Sequence, residues 1–452
     1  MLGRFRRWDA GARALVERLV AAGHEAYLVG GCVRDMLLGL IPHDWDITTS
    51  AEPDALQALF PHGKLMGATR GTQTLLVVQD GRPYEITPYR GATLAEDLSR
   101  RDFTVNALAL GLDRHLQDPL GGRRDLRHRV LRGCGDPAQR LIEDPLRLLR
   151  AVRLAAQFDL AIDAELQAAL KRVAPELGRV APERVGMELG RLLVTQRPAW
   201  GMERLRELGL LPAVLPELMA AVGFAQNQYH RFPVWEHLLL ACALTPPQLP
   251  LRLAGLLHDV GKPQTLSVDE AGNRHFYGHE LVGAELADQA LARLRFDNDT
   301  RHRAVHLVRY HMDLFMEGPV SDAAIRRMVR RIGPEHMNDL IQLRRADRLA
   351  SGTREGDLGP ETIALLQQVE QVLQADAALK VTDLAVDGHD VMRIYQCPPG
   401  EHVGRILQRL LDEVVEEPER NSRDGLLARL AQFAAQGSDW PKVPFCDSMK
   451  EP

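Results

Sequence analysis

The spacing of apolar and polar positions divides the chain into two parts. Up to about residue 135, short apolar runs bounded by Gly-rich turns predict strands mixed with short helices. Strands are expected over 27–29, 44–47, 72–79 and 83–89, with helices within 1–26 and over 53–60. From Asp136 onward, apolar residues recur at helical spacing and strand patterns fade. The pattern predicts an α+β protein, in which a head with a mixed sheet precedes a helical remainder.

The stretch 27–49, which reads YLVGGCVRDMLLGLIPHDWDITT, contains a turn suited to binding phosphate. An apolar strand runs into Gly30 and Gly31, and glycine allows backbone N–H groups to approach a phosphate closely. A short helix follows, with Arg34 in its first turn and Gly39 at its end.

Asp44 and Asp46 form an acidic pair directly after this helix. In a strand, alternate side chains face the same way, so both carboxylates share one face while Trp45 and Ile47 point to the core. Adjacent carboxylates repel unless a cation lies between them, and Mg²⁺ prefers oxygen ligands while keeping positions for phosphate and water. A solvated acidic turn is the alternative. The Gly-Gly turn and arginine ahead of the pair favour metal-dependent nucleotidyl transfer.

The same stretch resembles the signature of the class II tRNA nucleotidyltransferase and bacterial poly(A) polymerase family, in the DNA polymerase beta superfamily. The resemblance implies a polymerase-beta-like head followed by an all-α neck, an HD domain and a helical tail. It also implies two Mg²⁺ ions at Asp44 and Asp46, with Gly30, Gly31 and Arg34 around the phosphates of the incoming nucleotide.

Glu85 is a candidate third carboxylate of the catalytic set. On the predicted strand, Tyr84 and Ile86 share one face and Glu85 lies on the other. The family places an acidic residue on the matching strand, which implies a metal-ligand role. An exposed glutamate at a sheet edge is the alternative.

Residues 94–110, LAEDLSRRDFTVNALAL, match the family's RRDFTxNAL motif. Arg100 and Arg101 adjoin Asp102, and Asn106 lies one helical turn beyond it. The planar fork of arginine suits triphosphate oxygens as well as carboxylates. The resemblance implies triphosphate and sugar contacts, foremost from Arg101, whereas a surface patch of salt bridges is the alternative.

Residues 143–153, EDPLRLLRAVR, are predicted to form a helix on which Asp144 and Arg147 stand one turn apart. Such a pair commonly only supports a helix. In the family, the matching EDxxR pair hydrogen-bonds the base of the incoming nucleotide, with the carboxylate accepting from an exocyclic amine. Arg150 and Arg153 are carried over as nucleotide-binding candidates. In a continuous helix, however, Arg153 falls on the face opposite Asp144, where it would be structural or touch RNA.

A second constellation carries the H…HD…D pattern of the HD superfamily. It consists of His237 in WEHLLLA, His258 and Asp259 in LAGLLHDVGK, and Asp347 in RRADRLA. Imidazole and carboxylate together suit a divalent metal (Mg, Mn, Ni or Co) that activates hydroxide for phosphate-ester hydrolysis. The further residues that match a dinuclear member are His279 and His311. A purely structural HD domain without turnover is the alternative.

Composition and charge add limits on location and partners. The net charge of −5 means that an RNA partner must be held by local basic patches. One cluster comprises Arg123, Arg124, Arg127, His128, Arg129 and Arg132, and a second comprises Arg326, Arg327, Arg330 and Arg331. The first abuts the head and is the better candidate for tRNA phosphates, especially through its arginines; solvated helix faces are the alternative for both.

Neither a membrane span nor a secretory signal is indicated. No uninterrupted apolar run is long enough to cross a bilayer, and the sequence MLGRFRRWDAG lacks the apolar core of a signal peptide. The five cysteines are scattered and form no CxxC pair, which fits a reducing cytoplasm. The expected domains are a head over 1–135, a helical neck over 136–222, an HD domain over 223–355 and a helical, tRNA-contacting tail over 356–452.

One departure from the family pattern bears on the product. Full CCA-adding members carry a flexible segment resembling YxDxRRPxxVxF between the Glu85 strand and the RRDF motif, and this segment helps the pocket switch from CTP to ATP. Here Tyr89 and Arg90 are followed by three residues and then by the helix predicted from Leu94, so the segment is missing. Members with this deletion are associated with adding only the two cytidines.

The sequence therefore predicts a tRNA nucleotidyltransferase that uses CTP and leaves the final A to a separate A-adding enzyme. The alternatives are a full CCA-adding enzyme using CTP and ATP, a poly(A) polymerase, a protein that acts mainly as an HD-type phosphohydrolase, and a non-catalytic RNA-binding protein.

Overall fold

A computed structural model describes residues 8–67, 73–315, 320–352, 360–374 and 379–436. The chain forms two compact units. The first runs to Phe224 and also takes in Pro247–Leu253 and Asp288–Arg301, and the second contains Ala225–Pro246, Ala254–Ala287 and the chain from His302 onward. Within the described ranges, no helix is long and apolar enough to cross a membrane.

The first unit is built on a seven-stranded mixed sheet with the order β3-β4-β5-β2-β1-β6-β7. Its strands are β1 Ala26–Val29, β2 Asp46–Thr49, β3 Lys64–Met66, β4 Thr74–Gln79, β5 Arg82–Pro88, β6 Ala109–Leu110 and β7 Leu116–Gln117. Strands β2 and β5 are parallel, and the pairing register places Asp46 beside Glu85. Leu28 and Ile47 are fully buried behind them. The predicted α+β class is confirmed.

Eleven helices are described in the part of this unit that precedes Phe224. They are α1 Ala10–Ala21, α2 Gly31–Leu37, α3 Pro53–Leu59, α4 Leu94–Ser99, α5 Gly122–His128, α6 Pro137–Glu143, α7 Arg147–Phe158, α8 Ala164–Val173, α9 Pro182–Leu193, α10 Pro198–Glu207 and α11 Leu211–Val214. A small parallel pair, β8 Val130–Leu131 and β9 Ala161–Ile162, links the head to the helices.

Two local predictions were wrong. The helix expected over 143–153 is broken, because Pro145 disfavours helical backbone at the residue before it; α6 ends at Glu143 and α7 begins at Arg147. The expected strand over 44–47 begins only at Asp46, so Asp44 lies in the bend before β2.

Helices dominate the chain beyond Phe224. They are α12 Val234–Leu244, α13 Leu249–Leu257, α14 His279–Arg293, α15 Asn298–Tyr310, α16 Asp322–Ile332, α17 Pro334–Ala350, α18 Pro360–Gln374, α19 Gly388–Tyr395, α20 Glu401–Glu416 and α21 Arg423–Gln436. A short hairpin, β10 Ser267–Val268 and β11 Arg274–His275, precedes α14.

The second basic cluster of the sequence lies on α16 and binds the end of α20. Arg326 donates from Nε to the carbonyl of Val415 at 2.6 Å and from Nη2 to the carbonyl of Glu416 at 3.0 Å. Arg330 forms an ion pair with Asp412 at 2.6 Å. The last carbonyls of a helix lack partners within the helix, and cations there also complement its dipole. This cluster therefore fastens the tail helix to α16.

Candidate functional site

The turn between β1 and α2 depends on a glycine. Gly30 adopts φ +83, a backbone conformation that side-chain-bearing residues rarely take. A Cβ at this position would lie 3.2 Å from Nη1 of Arg101 and 3.6 Å from Oδ2 of Asp46. The glycine thus lets the backbone approach both the arginine and the acidic strand.

A cavity of about 880 Å³ opens beside this turn. Its lining contains every residue predicted to bind nucleotide together with the acidic pair: Gly30, Gly31, Arg34, Asp44, Asp46, Arg101, Asp102, Asn106, Asp144, Arg147, Arg150 and Arg153. Sequence motifs spread over 124 positions are therefore brought together in one place. Asp35, His43, Arg90, Gln157, Arg191 and Gln196, which the sequence did not single out, also contribute.

The three candidate carboxylates differ in environment. Asp44 and Glu85 are exposed, whereas Asp46 is half-buried at the start of β2. Burial and the neighbouring Glu85 raise the pKa of Asp46 to about 6, Asp44 adds to this effect, and Arg101 opposes it. Clustered carboxylates that disfavour each other's charge form a donor set that a divalent cation would stabilise. Glu85 lies beside Asp46 on β5, outside the described residues that line the cavity.

A chain of hydrogen bonds crosses one wall of the cavity. Arg34 donates from Nη1 to Oδ1 of Asn106 at 2.6 Å, and Nδ2 of Asn106 donates to Oδ1 of Asp102 at 3.0 Å. Arg150 then donates to the other oxygen of Asp102 at 3.3 Å. Burial opposes the ionisation of Asp102, but Arg150 and the Asn106 hydrogen bond lower its pKa below the usual value. Asp102 and Asn106 therefore hold two arginines in position.

The break at Pro145 resets the helical phase of the arginines that follow it. Arg147, Arg150 and Arg153 lie three residues apart on α7, and all three line the cavity. The prediction that Arg153 faces away was wrong, because it assumed one continuous helix from Asp144. The carboxylate of Asp144 instead follows α6 and accepts from Arg184 at 3.3 Å.

Glu188 on α9 is a functional candidate that the sequence reasoning missed. It is buried, and its carboxylate lies 2.6 Å from Nε of Arg153, 3.9 Å from Nε of Arg150 and 3.5 Å from Nη1 of Arg191. The sequence did contain a signal for this residue, because Glu188 lies three positions after Val185 and so places a charge on the apolar face of a helix. Glu188 orients the arginines of α7.

The predicted metal-binding histidines and aspartates also converge, in the second unit. Nε2 of His237 lies 3.0 Å from Nε2 of His258, 3.1 Å from Oδ1 of Asp347 and 3.3 Å from Oδ2 of Asp259. All four side chains are buried. Burial opposes protonation of His258, but Asp259 and Asp347 raise its pKa to about 10. Two facing ring nitrogens between two carboxylates form a donor set that a divalent metal fits.

The second candidate metal position shares Asp259 with the first. The other carboxylate oxygen of Asp259, Oδ1, lies 3.1 Å from Nε2 of His279 and 3.6 Å from Nε2 of His311. Sequence reasoning missed two neighbours: Lys262, whose Nζ lies 2.5 Å from Asp259, and His230, whose ring centroid is 5.0 Å from that of His237. Lys262 stands within the HDVGK motif and was open to prediction from it.

The first basic cluster lies on and after α5. Arg123, Arg124 and Arg127 are exposed. Arg129 forms an ion pair with Asp159 at 2.6 Å, which partly neutralises it. A role for these arginines in RNA binding stays a prediction.

Comparison with known proteins agrees with this arrangement. Residues 26–94 and 91–132 match the poly A polymerase head domain, 159–222 match a probable RNA and SrmB-binding site of polymerase A, and 230–352 match the HD domain. The chain is 39% identical over 414 residues to an A-adding tRNA nucleotidyltransferase of Deinococcus radiodurans, covering 86% of this chain and 91% of that protein. It is 38% identical over 449 residues to a CC-adding tRNA nucleotidyltransferase of Thermus thermophilus, covering 93% and 97%.

The fold is likewise similar to a solved structure. The Bacillus stearothermophilus CCA-adding enzyme in complex with CTP superposes with a TM-score of 0.70 at 26% identity, over 94% of this chain and 97% of that one. Together with the cavity that unites the DxD, RRDF and EDxxR motifs, these similarities establish that the chain belongs to the tRNA nucleotidyltransferase family.

Proposed function

We propose that this protein transfers CMP from CTP to the 3′-hydroxyl of tRNA, releases pyrophosphate, and stops after two cytidines. The terminal A would then come from a separate A-adding enzyme in the same cell. The observation that carries this proposal is the five-residue connection between β5, which ends at Pro88, and α4, which begins at Leu94.

Hydrogen bonds fix this connection to the helix that follows. The N–H of Arg90 donates to Oδ1 of Asp97 at 3.2 Å, and the N–H of Ala92 donates to Oε2 of Glu96 at 2.6 Å. The hydroxyl of Thr93 caps α4 by accepting from the N–H of Glu96 at 3.3 Å. A pocket that changes its base preference needs an element with two arrangements. A short, anchored connection supports a pocket that keeps a single base preference. The resemblance to family members that lack the flexible segment implies that this preference is for cytosine.

The acidic residues supply the metal ligands in this proposal. Asp44 and Asp46, assisted by Glu85, would hold two Mg²⁺ ions, and the carboxylate cluster around Asp46 fits such a role. When bound, the ions would lower the pKa of the attacking 3′-hydroxyl and neutralise the triphosphate while pyrophosphate leaves in line.

The other cavity residues position the nucleotide. Backbone N–H groups at Gly30 and Gly31, together with Arg101, would bind the triphosphate. Arg34 already donates to Asn106 and Asp35 through Nε and both terminal nitrogens. It would therefore stiffen the phosphate site, and two of its five N–H groups remain for a phosphate oxygen.

Selection of the base would fall to the side chains on both sides of Pro145. Asp144 would accept from the exocyclic amine of cytosine and Arg147 would donate to its ring nitrogen or carbonyl, while Arg150 and Arg153 line the same wall. Since adenine also offers an amine, the fixed volume of the pocket would discriminate between the two bases.

The test uses purified protein and tRNA ending at the discriminator base, with CTP, ATP or both, and products resolved to single nucleotides. We expect two additions with CTP and no further addition when ATP is present. Three additions ending in A would instead show a complete CCA-adding enzyme, and a long A-tail would show a poly(A) polymerase. Asp44→Ala and Asp46→Ala should abolish incorporation while circular dichroism stays unchanged.

A second candidate activity is metal-dependent phosphohydrolysis at the buried histidine–aspartate cluster. The two groups of facing ring nitrogens around Asp259 favour it. Hydrolysis of a cyclic nucleotide with Mg²⁺, Mn²⁺, Ni²⁺ or Co²⁺ should survive Asp44→Ala and vanish in Asp259→Ala. Absence of hydrolysis with all four metals would leave the cluster a structural role.

A further inference from the structure

A second cavity, of about 480 Å³, lies in the first unit, and none of the described residues that line it also lines the cavity beside Gly30. Its chemistry is that of an aromatic ring among guanidinium groups. Five of its lining residues define what we call the stacking pocket: Arg129, Asp159, Arg197, Trp200 and Arg204. The volume is in the range of small-ligand sites.

Trp200 supplies the aromatic ring of the stacking pocket, and two guanidiniums lie over that ring. The guanidinium carbon of Arg197 lies 4.8 Å from the centre of the indole ring, and that of Arg204 lies 5.4 Å from it. Proteins that bind unpaired nucleotides stack bases on aromatic rings and on guanidinium planes, and place arginines against the backbone. Three guanidiniums line the stacking pocket with one carboxylate, and Arg204 also pairs with Glu207 at 2.5 Å. The excess of one positive charge favours an anion.

The rim of the stacking pocket contains two residues in a costly backbone conformation. Arg129 ends α5 with φ +55, and Asp159 ends α7 with φ +52. Glycine takes this helix-ending conformation at less cost. Here both positions carry charged side chains that pair at 2.6 Å, and Asp159 also accepts from Arg197. The carboxylate of Asp159 thus fixes the guanidiniums of Arg129 and Arg197 at the rim, while the side chains of these arginines stay 69% and 36% exposed.

The stacking pocket and the nucleotidyl-transfer cavity have a common wall. Gln157 lines the transfer cavity and Asp159, two residues on, lines the stacking pocket. Gln196 also lines the transfer cavity, and the next residue, Arg197, lines the stacking pocket. The Cα atoms of consecutive residues are only about 3.8 Å apart. The two cavities are therefore neighbours within the first unit.

We propose that the stacking pocket binds an unpaired nucleotide of the RNA substrate. The base stacks at Trp200, and the phosphate lies on Arg129 and Arg197. This inference rests on the tRNA substrate of the proposed function and adds a contact remote from the reacting atoms. It predicts an effect on RNA affinity that is separate from the use of CTP.

The experiment titrates the full chain with tRNA ending at the discriminator base. Trp200→Ala should raise the Kd for tRNA about tenfold and leave the KM for CTP within about twofold of the wild type, because stacking of one base is lost. Trp200→Phe keeps an aromatic surface and should bind within about threefold of the wild type. The tRNA-dependent quenching of tryptophan fluorescence should be smaller in Trp200→Phe, since the quenched ring is absent.

Arginine variants separate phosphate binding from general charge. Arg197→Ala should reduce the slope of log Kd against log salt by about one, as expected for one lost phosphate contact. Arg206→Ala is the matched control, because Arg206 lies on the same helix, pairs with Glu203 at 2.5 Å and does not line the stacking pocket. Equal effects of the two substitutions would overturn the assignment.

The outcomes also distinguish this inference from the proposed function. Wild-type affinity for tRNA in Trp200→Ala, with normal CMP incorporation, would reject the stacking pocket and leave the transfer activity intact. Quenching of Trp200 by free CTP but not by tRNA would also reject it. A wild-type protein that adds no CMP, yet binds tRNA through Trp200, would reject the transfer activity and support the stacking pocket.

Discussion

Replacing Asp46 by asparagine should abolish CMP incorporation and at the same time stabilise the metal-free protein. The folded protein holds the pKa of Asp46 at about 6, against an ordinary value of 3.8, because burial and Glu85 disfavour its charge. A difference of about two pKa units corresponds to an upper limit of roughly 3 kcal/mol of lost stability at neutral pH. Because the side chain is only half-buried, solvent screening reduces the expected gain to about 1–2 kcal/mol.

The raised pKa of Asp46 determines how the stability of the wild-type protein changes with pH. A carboxyl group with a raised folded-state pKa binds its proton more tightly in the folded protein. Wild-type stability therefore falls as pH rises from about 4 to about 6, and remains lowered above that range. The amide of the Asp46→Asn variant does not titrate, so the advantage of the variant should be largest at pH 7–8 and shrink toward pH 5.

The assay is thermal unfolding of both proteins in EDTA at pH 5, 6, 7 and 8, followed by circular dichroism. Each kcal/mol should shift the Tm by about 2–4 °C for a unit of this size. Asp44→Asn is the control, since Asp44 is exposed and should give a smaller gain with the same loss of incorporation. A variant less stable than the wild type at pH 8, or a gain that does not depend on pH, would refute the reasoning.

Three further substitutions test other parts of the two sites. Gly30→Ala should lower CMP incorporation by about 100-fold with the fold retained, because the positive φ of this residue and the Arg101 guanidinium 3.2 Å from the new Cβ would displace the turn. Single-turnover kinetics with CTP measures this loss, and near-normal rates would contradict it. Glu188→Ala should cost about 3 kcal/mol in urea unfolding, because Arg153, whose side chain is only 14% exposed, loses its ion-pair partner and keeps only its hydrogen bond to Gln157. An unchanged urea midpoint would deny Glu188 that stabilising role. Asp259→Ala should reduce Mn²⁺ bound per chain, measured by elemental analysis after dialysis, and a metal content equal to that of Asp44→Ala would argue against a metal role for the histidine–aspartate cluster.

Much of the candidate site could be predicted from sequence because its motifs are local. The turn at Gly30 and the acidic pair each lie within a few residues, where strand alternation and glycine chemistry act directly. The position of Glu85 beside Asp46 depends on a parallel pairing across 39 residues, and the pattern within either strand does not specify it. Glu188 was missed for a similar reason, since its partners lie on another helix.

The errors around residues 143–153 have a physical origin that the sequence displayed. Pro145 restricts the residue before it to extended backbone, so a continuous helix through Asp144 was disfavoured. Placing Arg153 correctly required restarting the helical count at Arg147. In the second unit, the order of His237, His258, Asp259 and Asp347 indicated a shared centre, but periodicity alone could not give the distances between them.

The attachment of α20 to α16 has a consequence for exchanging parts between relatives. Because Arg326 binds two terminal carbonyls of α20 and Arg330 binds Asp412 one turn earlier, the two helices recognise each other as a pair. A chimera with its junction between residues 333 and 400 would separate the arginines from the helix end they fit. Tail swaps that begin before Asp322, and so carry α16 with α20, should yield soluble hybrids more often than swaps of the tail alone.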